Sequence, residues 1–286
     1  MAKGMRDIKR QIKGYQNTKQ ITKAMEMIAA SRLKRAQDAA QSARPYADKL
    51  REVIASVASA GGGVKHPMLE KRPIKRTGYL VITSDRGLAG GYNANLLRKL
   101  SLMLREKHRS ADEYELYVVG RKGRDYFLRR NMPVVAQTTG LPDFPRFSDI
   151  KEVASAAVNA YETGTIDELV LVYNEFKSAI SQTPVDKTLL PLGEVTSASG
   201  AKASYEFEPS PEAVLEHILP RYAETMVYSA VLEGKASEFG ARMTAMSSAT
   251  KNATKLISSL TLQYNRARQA SITQEITEIV AGANAQ

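Results

Sequence analysis

Two long helical stretches at opposite ends of the chain constrain its fold more than any other feature. Apolar residues at helical spacing run through residues 1–60, and a second run covers 209–286, with Ser210 as N-cap and Pro211 in the first turn. At about 1.5 Å per residue the second helix would span roughly 90–110 Å, much longer than an ordinary globular helix. Two such helices around a compact insert predict an antiparallel coiled coil.

Apolar or small residues recur at steps of three and four along both helices, which is the spacing of a coiled-coil seam. The seam predicted in the first helix is Ile8, Ile12, Tyr15, Ile21, Met25, Ile28, Ala36, Ala40, Ala43, Leu50, Ile54 and Val57. The seam predicted in the second helix is Phe239, Met243, Met246, Thr250, Ala253, either Leu256 or Ile257, Leu260, Tyr264 and Ala267. Pro45 permits a kink in the first helix, and Pro220 predicts one in the second, whose uninterrupted part would then begin at Arg221.

The two helices differ in length, and this leaves the end of the second one without a partner. Antiparallel pairing exhausts the first helix opposite residues 265–276. The residues beyond carry apolar side chains, Ile272, Ile276, Ile279 and Val280. A lone helix that exposes such a surface is marginal in water. We therefore expect another protein to enclose it.

The residues between the helices alternate short apolar strands with helices, which predicts a parallel, Rossmann-like layered sheet. The predicted strands are 78–83, 115–119, 133–136 and 168–173, and the predicted helices are 92–107, 121–130 and 148–161. Two later edge strands, one or both antiparallel, are expected at 183–192 and 203–207. The fold class is α+α/β, with coiled-coil helices at 1–60 and 209–286, a linker at 61–76 and a Rossmann-like domain at 77–208.

Composition excludes several kinds of chemistry. The chain has no cysteine, so disulfides, thiolate catalysis and cysteine-based metal or redox sites are excluded. Its three histidines, His66, His108 and His217, are too scattered to indicate a metal site. No apolar run is long enough for a membrane span, and the N-terminus lacks the apolar stretch of a signal peptide. We expect a cytoplasm-facing protein with no metal and no cofactor.

Positive charge is concentrated near the N-terminus. Residues 1–76 hold 18 Lys/Arg against 6 Asp/Glu, although the whole chain carries only +11. Nucleic acid, anionic lipid and an acidic protein surface are all acceptable partners, and a solvated face is equally compatible. A basic coiled-coil nucleic-acid-binding protein is the alternative function. Base-stacking aromatic residues are sparse in this region, where Tyr15 and Tyr46 stand alone.

A glycine-rich segment, Ser84–Asn93, follows a predicted strand and precedes a helix, the usual position of a phosphate-binding loop. It has neither the lysine of G-x-x-x-x-G-K-[ST] nor the glycine spacing of G-x-G-x-x-G. Asp85, Arg86 and Tyr92 would be the site residues if a nucleotide bound here. The glycines are equally compatible with a tight strand-to-helix turn, and we favour this second interpretation.

Three long motifs carry a resemblance to a known family. They are Gln16–Ser31 (QNTKQITKAMEMIAAS), Ser84–Ala94 (SDRGLAGGYNA) and Tyr264–Ile279 (YNRARQASITQEITEI). Together they closely resemble the gamma subunits of bacterial F-type ATP synthases, in order and along the whole chain. The redox-regulated chloroplast members of that family carry an inserted loop with two cysteines. This chain has neither, so the resemblance does not imply thiol regulation.

The resemblance implies a non-catalytic central rotor shaft that couples proton flow through the c ring to ATP synthesis or hydrolysis. The paired helices would turn inside a ring of three alpha and three beta subunits, with the C-terminal tip in its upper bearing. The globular domain would hold the epsilon subunit and rest on the membrane c ring. The chain would then be peripheral to the cell membrane, on its cytoplasmic side, with no substrate, cofactor or nucleic acid of its own.

The resemblance also implies roles for individual residues in binding the alpha/beta ring. Met25 matches the position that faces a beta-subunit lever loop, and Lys23 lies nearby. Four polar residues of the upper shaft match a hydrogen-bonded catch with the ring: Arg268, Gln269, Thr273 and Glu275. The corresponding alternatives are a plain seam residue for Met25 and an ordinary solvated helix face for the polar four.

Overall fold

The computed structural model describes residues 2–60, 66–192, 208 and 210–284. It consists of two compact units, residues 1–29 with 243–286, here the helical unit, and residues 30–242, here the α/β unit. The elements are α1 (Ala2–Ala60), β1 (Thr77–Ile82), α2 (Tyr92–Lys107), β2 (Tyr114–Val119), α3 (Arg121–Leu128), β3 (Val134–Thr138), α4 (Phe147–Glu162), β4 (Glu168–Ser178), β5 (Ser181–Leu190) and α5 (Pro211–Asn284). The division into units falls inside α1 and α5 rather than at their ends.

The α/β unit contains one five-stranded mixed sheet in the order β3-β2-β1-β4-β5. Strand β1 pairs in parallel with β2 and β4, and β2 pairs in parallel with β3. Strand β5 pairs antiparallel with β4. The predicted Rossmann-like layered sheet and the α+α/β class are confirmed. The strand predicted at 203–207 lies outside the described residues.

The central strands of the sheet are buried on both sides, because helices cover both of its faces. Side chains of β1 alternate between the faces: Leu80 joins a core formed with α4 and with parts of α1 and α5. Val81 joins a second core formed with α2 and α3. The end of α1 and the start of α5 are therefore core elements of this unit.

Helix α5 begins as the sequence predicts, since the Ser210 hydroxyl accepts a hydrogen bond from the Ala213 N–H at 3.2 Å. The predicted start of the uninterrupted part at Arg221 is wrong, because α5 is one helix from Pro211 to Asn284, and the kink at Pro220 stays a prediction. Leu219 and Tyr222, beside the proline, are buried in the core. Their burial offsets the backbone hydrogen bond that a proline removes. Pro45 likewise lies inside the continuous helix α1.

In the helical unit, α1 and α5 meet through small and half-buried side chains. The hydroxyls of Thr22 and Thr250 are 2.8 Å apart and form a hydrogen bond between the two helices. On α5 the seam contains Ile257, which is half-buried, whereas Leu256 is exposed. Of the two residues that the sequence left open, the structure selects Ile257.

Two predicted seam positions of α1 are wrong. Ile21 and Ile28 are exposed, and their neighbours Thr22 and Ala29 are buried instead. The reason is the heptad period, in which each of the two seam positions recurs every seven residues and does not require a large side chain. The buried or half-buried residues of this series are Tyr15, Thr22, Ala29, Ala36, Ala43, Leu50 and Val57.

The end of α5 has no cover within the described residues. Ser271 is the last half-buried residue, and every residue from 272 to 284 is exposed. This burial pattern agrees with the length comparison made from the sequence. We call residues 272–284 the tip. No helix in the described ranges is both long and apolar enough to cross a membrane.

Candidate protein-binding surfaces

The outward side of α1 in the helical unit exposes large apolar side chains. Ile21, Met27 and Ile28 are 60%, 58% and 50% exposed. We call these three residues the α1 face. They lie in the motif that includes Met25 and Lys23. Large exposed apolar groups on one short stretch of helix indicate a protein-binding surface.

Of the two predicted contact residues in this region, Met25 is half-buried and Lys23 is exposed. The Lys23 ammonium lies 3.3 Å from the Glu26 carboxylate. Such a pair on a helix surface contributes little to stability. Lys23 is therefore available to another carboxylate.

Positive charge precedes the α1 face along the helix. In the described part of the helical unit, α1 forms only two ion pairs, Arg10–Asp7 and Lys23–Glu26. Exposed cations without a carboxylate partner there are Arg6, Lys9, Lys13 and Lys19. An apolar face next to free cations suits an acidic protein surface.

The tip forms a second surface. Ile272, Ile276, Ile279 and Val280 are all exposed on it. Nothing in the described part of the chain removes these side chains from water. A single helix with an exposed apolar row is marginal in water, so the tip indicates a second protein-binding surface.

The four polar residues predicted near the tip are all exposed. The Ser271 hydroxyl donates to the Glu275 carboxylate at 3.4 Å, and the Thr277 hydroxyl donates to the Thr273 carbonyl at 2.8 Å. Arg268 and Gln269 lie on the same exposed length of α5. The structure thus places all four on solvent-facing helix and leaves their polar groups accessible to a partner.

A third surface lies between α2 and α3 and was missed from the sequence. Two adjoining cavities of about 540 Å³ and 350 Å³ share Ser101, Arg105 and Tyr126. No carboxylate lines either cavity among the described residues. The cations that line them are Arg98, Arg105, Arg109, Lys122 and Arg130. We call this surface the basic groove.

Apolar side chains form much of the floor of the basic groove. Leu97 and Leu102 line the larger cavity, and Tyr114 and Met132 line the smaller one. The seven-residue spacing of Arg98 and Arg105 on α2 is the sequence signal that could have indicated this surface. The combination suits an acidic amphipathic segment of another protein.

In the glycine-rich segment Ser84–Asn93, two of the three residues considered for a nucleotide form hydrogen bonds with other parts of the same chain. The Asp85 carboxylate accepts backbone N–H groups from Arg121, Gly140 and Leu141. The Tyr92 hydroxyl donates to the Gly234 carbonyl at 2.9 Å, and complete burial raises the pKa of Tyr92 above its usual value. Of the three residues considered for a nucleotide, Asp85 and Tyr92 serve internal contacts, and Arg86 is exposed.

The remaining titratable groups give no sign of a catalytic centre. Burial raises the pKa of Tyr79 and Tyr117 above the usual range and lowers the pKa of His66 and His108. Burial of the side chain is the largest cause of each of these shifts. Within the described ranges no group of three or more acidic or histidine side chains could hold a metal ion.

Comparison with known proteins identifies the family. The family model described as ATP synthase matches residues 4–286. The ATP synthase gamma chain of Brevibacillus brevis (strain 47) is 63% identical over all 286 residues, and the match covers 100% of both chains.

Two solved structures have a similar fold. One is from the central stalk and c ring of the Tetrahymena thermophila mitochondrial ATP synthase, with 27% identity, a TM-score of 0.62 and coverage of 80% of this chain and 99% of that one. The other is from the Euglena gracilis mitochondrial ATP synthase, with 19% identity, a TM-score of 0.68 and coverage of 100% and 95%. With the full-length match to the family model and to the bacterial relative, this chain belongs to the family of ATP synthase gamma chains.

Proposed function

We propose that this chain is the central rotor shaft of an F-type ATP synthase, with no catalytic site of its own. One observation carries the proposal: α5 continues through a fully exposed tip that bears a row of apolar side chains. A partner must cover such a tip, and in a rotor shaft the surrounding ring does so. Membership of the gamma-chain family supports the same assignment.

The ring partners in this proposal are three alpha and three beta subunits. The α1 face and Met25 contact the beta lever loops, and Lys23 pairs with acidic side chains on them. The free cations Lys9, Lys13 and Lys19 support an acidic protein partner. The basic region of the chain is then used for protein rather than for nucleic acid.

At the tip, we assign the apolar residues to the upper bearing of the ring. Arg268, Gln269, Thr273 and Glu275 form hydrogen bonds with the ring in some rotary positions. Hydrogen bonds to charged groups contribute roughly 1.5–3 kcal/mol each. A few such bonds bias a rotary position without fixing it permanently.

The α/β unit carries the contacts to the remaining subunits in this proposal. The basic groove receives the epsilon subunit, because its cations and apolar floor suit an acidic amphipathic segment. The same unit rests on the c ring, and the chain is peripheral to the cell membrane on its cytoplasmic side. Rotation of the c ring turns the α/β unit, and the one-sided apolar surface of α1 presents a different contact to each catalytic site in turn.

The α1 face provides the direct test. We expect Ile28→Glu to weaken assembly of the chain with purified alpha and beta subunits, because a carboxylate would face an acidic partner surface. The matched control is Ile180→Glu, since Ile180 is 79% exposed at the β4–β5 turn. Assembly is measured by gel filtration, and ATP hydrolysis of the recovered complex is assayed. Equal assembly by both variants would remove the α1 face from the interface.

A further inference from the structure

Asn93 lines the larger cavity of the basic groove, but the rest of the segment Ser84–Asn93 has no role in the surfaces described above. The segment is nevertheless closely connected within the α/β unit. Asp85 Oδ1 accepts the N–H groups of Arg121 and Gly140 at 2.9 Å each. Asp85 Oδ2 accepts the N–H of Leu141 at 3.0 Å. Asp85 thereby joins the loop after β1 to the start of α3 and to the loop after β3. One side chain connects three separate segments.

Both of these loops contact α5. From the loop after β1, the Gly87 carbonyl accepts a hydrogen bond from the Arg242 guanidinium at 3.2 Å. From the loop after β3, the Pro145 carbonyl accepts one from the Tyr228 hydroxyl at 3.0 Å. We call the two loops, residues 84–91 and 139–146, the collar.

Further contacts extend the collar to an aromatic pair and to α1. The rings of Phe144 and Phe239 are 6.4 Å apart between centroids. The Asp143 carboxylate forms an ion pair of 2.7 Å with Arg32 on α1. The collar therefore contacts both long helices within the α/β unit.

Arg242 is itself held by a sheltered carboxylate. The Glu238 side chain, which is 6% exposed, accepts a hydrogen bond from Arg242 at 2.8 Å. The Lys235 ammonium lies 3.5 Å from the same carboxylate. Charged hydrogen bonds in such a sheltered place are strong and fix the direction of the guanidinium. The contact to Gly87 is consequently made by a side chain with little freedom.

The contacts on α5 are spread along the helix. Tyr228 and Arg242 are separated by about 21 Å of helix, and Phe239 lies between them. Contacts at several points along one helix resist its rotation about its own axis more than a single contact would. The contacts from the two loops resist rotation of α5 jointly only if the loops are fixed to each other.

We propose that Asp85 is a positioning residue for torque transfer: its carboxylate fixes the two loops of the collar to each other, and the collar adds to the core packing of α5 in resisting rotation of that helix within the α/β unit. This inference rests on the proposed rotor function. An asparagine at position 85 would offer one acceptor oxygen in place of two and would direct an N–H₂ group at a backbone N–H. In this variant the two loops of the collar would be held together less firmly, whereas the chemistry at the catalytic sites would be unchanged.

The test uses the whole synthase in lipid vesicles with Asp85→Asn in the gamma chain. We expect ATP hydrolysis close to wild type, whereas ATP-driven proton pumping against a gradient falls about two- to tenfold, the range for loss of one ordinary hydrogen bond. The stall torque in single-molecule rotation falls with it. Asp125→Asn is the matched control, since Asp125 is a carboxylate on α3 that bonds the Arg124 side chain. We expect it to behave as wild type.

Two further variants keep the proposal falsifiable if Asp85→Asn does not assemble. Tyr228→Phe and Arg32→Ala each remove one collar contact, and we expect each to reduce stall torque by less than Asp85→Asn. Unchanged pumping and torque in all variants that assemble would overturn the proposal. A wild-type complex that hydrolyses ATP without turning this chain would instead refute the rotor function, so the two failures are distinguishable.

Discussion

In the α/β unit, helix α5 belongs to the core: Leu215 and Leu219 are fully buried, and Phe239 is almost fully buried. Beyond Ser271 every described residue of the same helix is exposed. One end is thus stabilised by its own chain, whereas the other depends on a partner. The difference separates the residues that fold the chain from the residues that allow it to work in an assembly.

The most direct test of this difference is the same Leu→Ala substitution at a buried and at an exposed position of α5. We expect Leu219→Ala to destabilise the isolated chain by roughly 2–5 kcal/mol, because it leaves a cavity in the core. Leu262 on the same helix is 53% exposed. Leu262→Ala should change the free energy of unfolding by less than about 0.5 kcal/mol. Urea unfolding followed by circular dichroism measures both, and similar losses would contradict the comparison.

Removal of the tip tests whether the C-terminal end of α5 stabilises the complex rather than the isolated chain. A chain that stops after Ser271 loses four apolar side chains, each worth roughly 1.5–3 kcal/mol when buried by a partner. We expect the melting temperature of the isolated chain to change little, because the tip is exposed there. The complex with alpha and beta subunits should dissociate at a lower temperature. A large loss in the isolated chain, with an unaffected complex, would mean that the tip packs within its own chain.

The stability of the two units should also depend differently on pH, although this effect is smaller. Burial lowers the pKa of His66 and His108, and nearby Glu216 and Glu113 oppose these shifts. Both histidines lie in the α/β unit, and no histidine occurs in residues 1–29 or 243–286. Because the folded unit favours the neutral imidazole, stability is fully present above about pH 6.5 and falls as the pH drops below it.

Hydrogen exchange at pH 7.5 and pH 5.5, corrected for the intrinsic rate, measures this effect in each unit separately. We expect protection in the α/β unit to decrease at the lower pH more than in the helical unit. His108→Gln should reduce the difference, because residue 108 then no longer takes up a proton. A loss of protection confined to the helical unit would show that the histidines do not control it.

Much of the fold could be predicted from the sequence because its signals are local. Helix α2 occupies the predicted range, and the ends of β1, β2 and β3 lie within two residues of the prediction, whereas β4 extends five residues further than predicted. The error at Ile21 and Ile28 has a physical cause. Large apolar residues were preferred to Thr22 and Ala29, although the heptad period selects the small pair. Apolarity alone does not show whether a side chain faces its own chain or a partner.

The surfaces were less predictable than the fold. An unpartnered end of α5 followed from helix length alone, since antiparallel pairing exhausts α1 opposite residues 265–276, and the structure places the start of the exposed tip at residue 272. The basic groove required the structure, because Lys122 on α3 reaches Arg98 and Arg105 only through tertiary packing. Asp85 was considered for a nucleotide site, and only the folded positions of Gly140 and Leu141 reveal its partners.

The exposed tip has a consequence for the life of the chain in the cell. Ile272, Ile276 and Ile279 would be accessible to chaperones and proteases until a ring encloses them. An unassembled copy therefore displays a signal for its own removal, and the assembled copy conceals it. We expect the cellular amount of this chain to follow the supply of its ring partners rather than its own rate of synthesis.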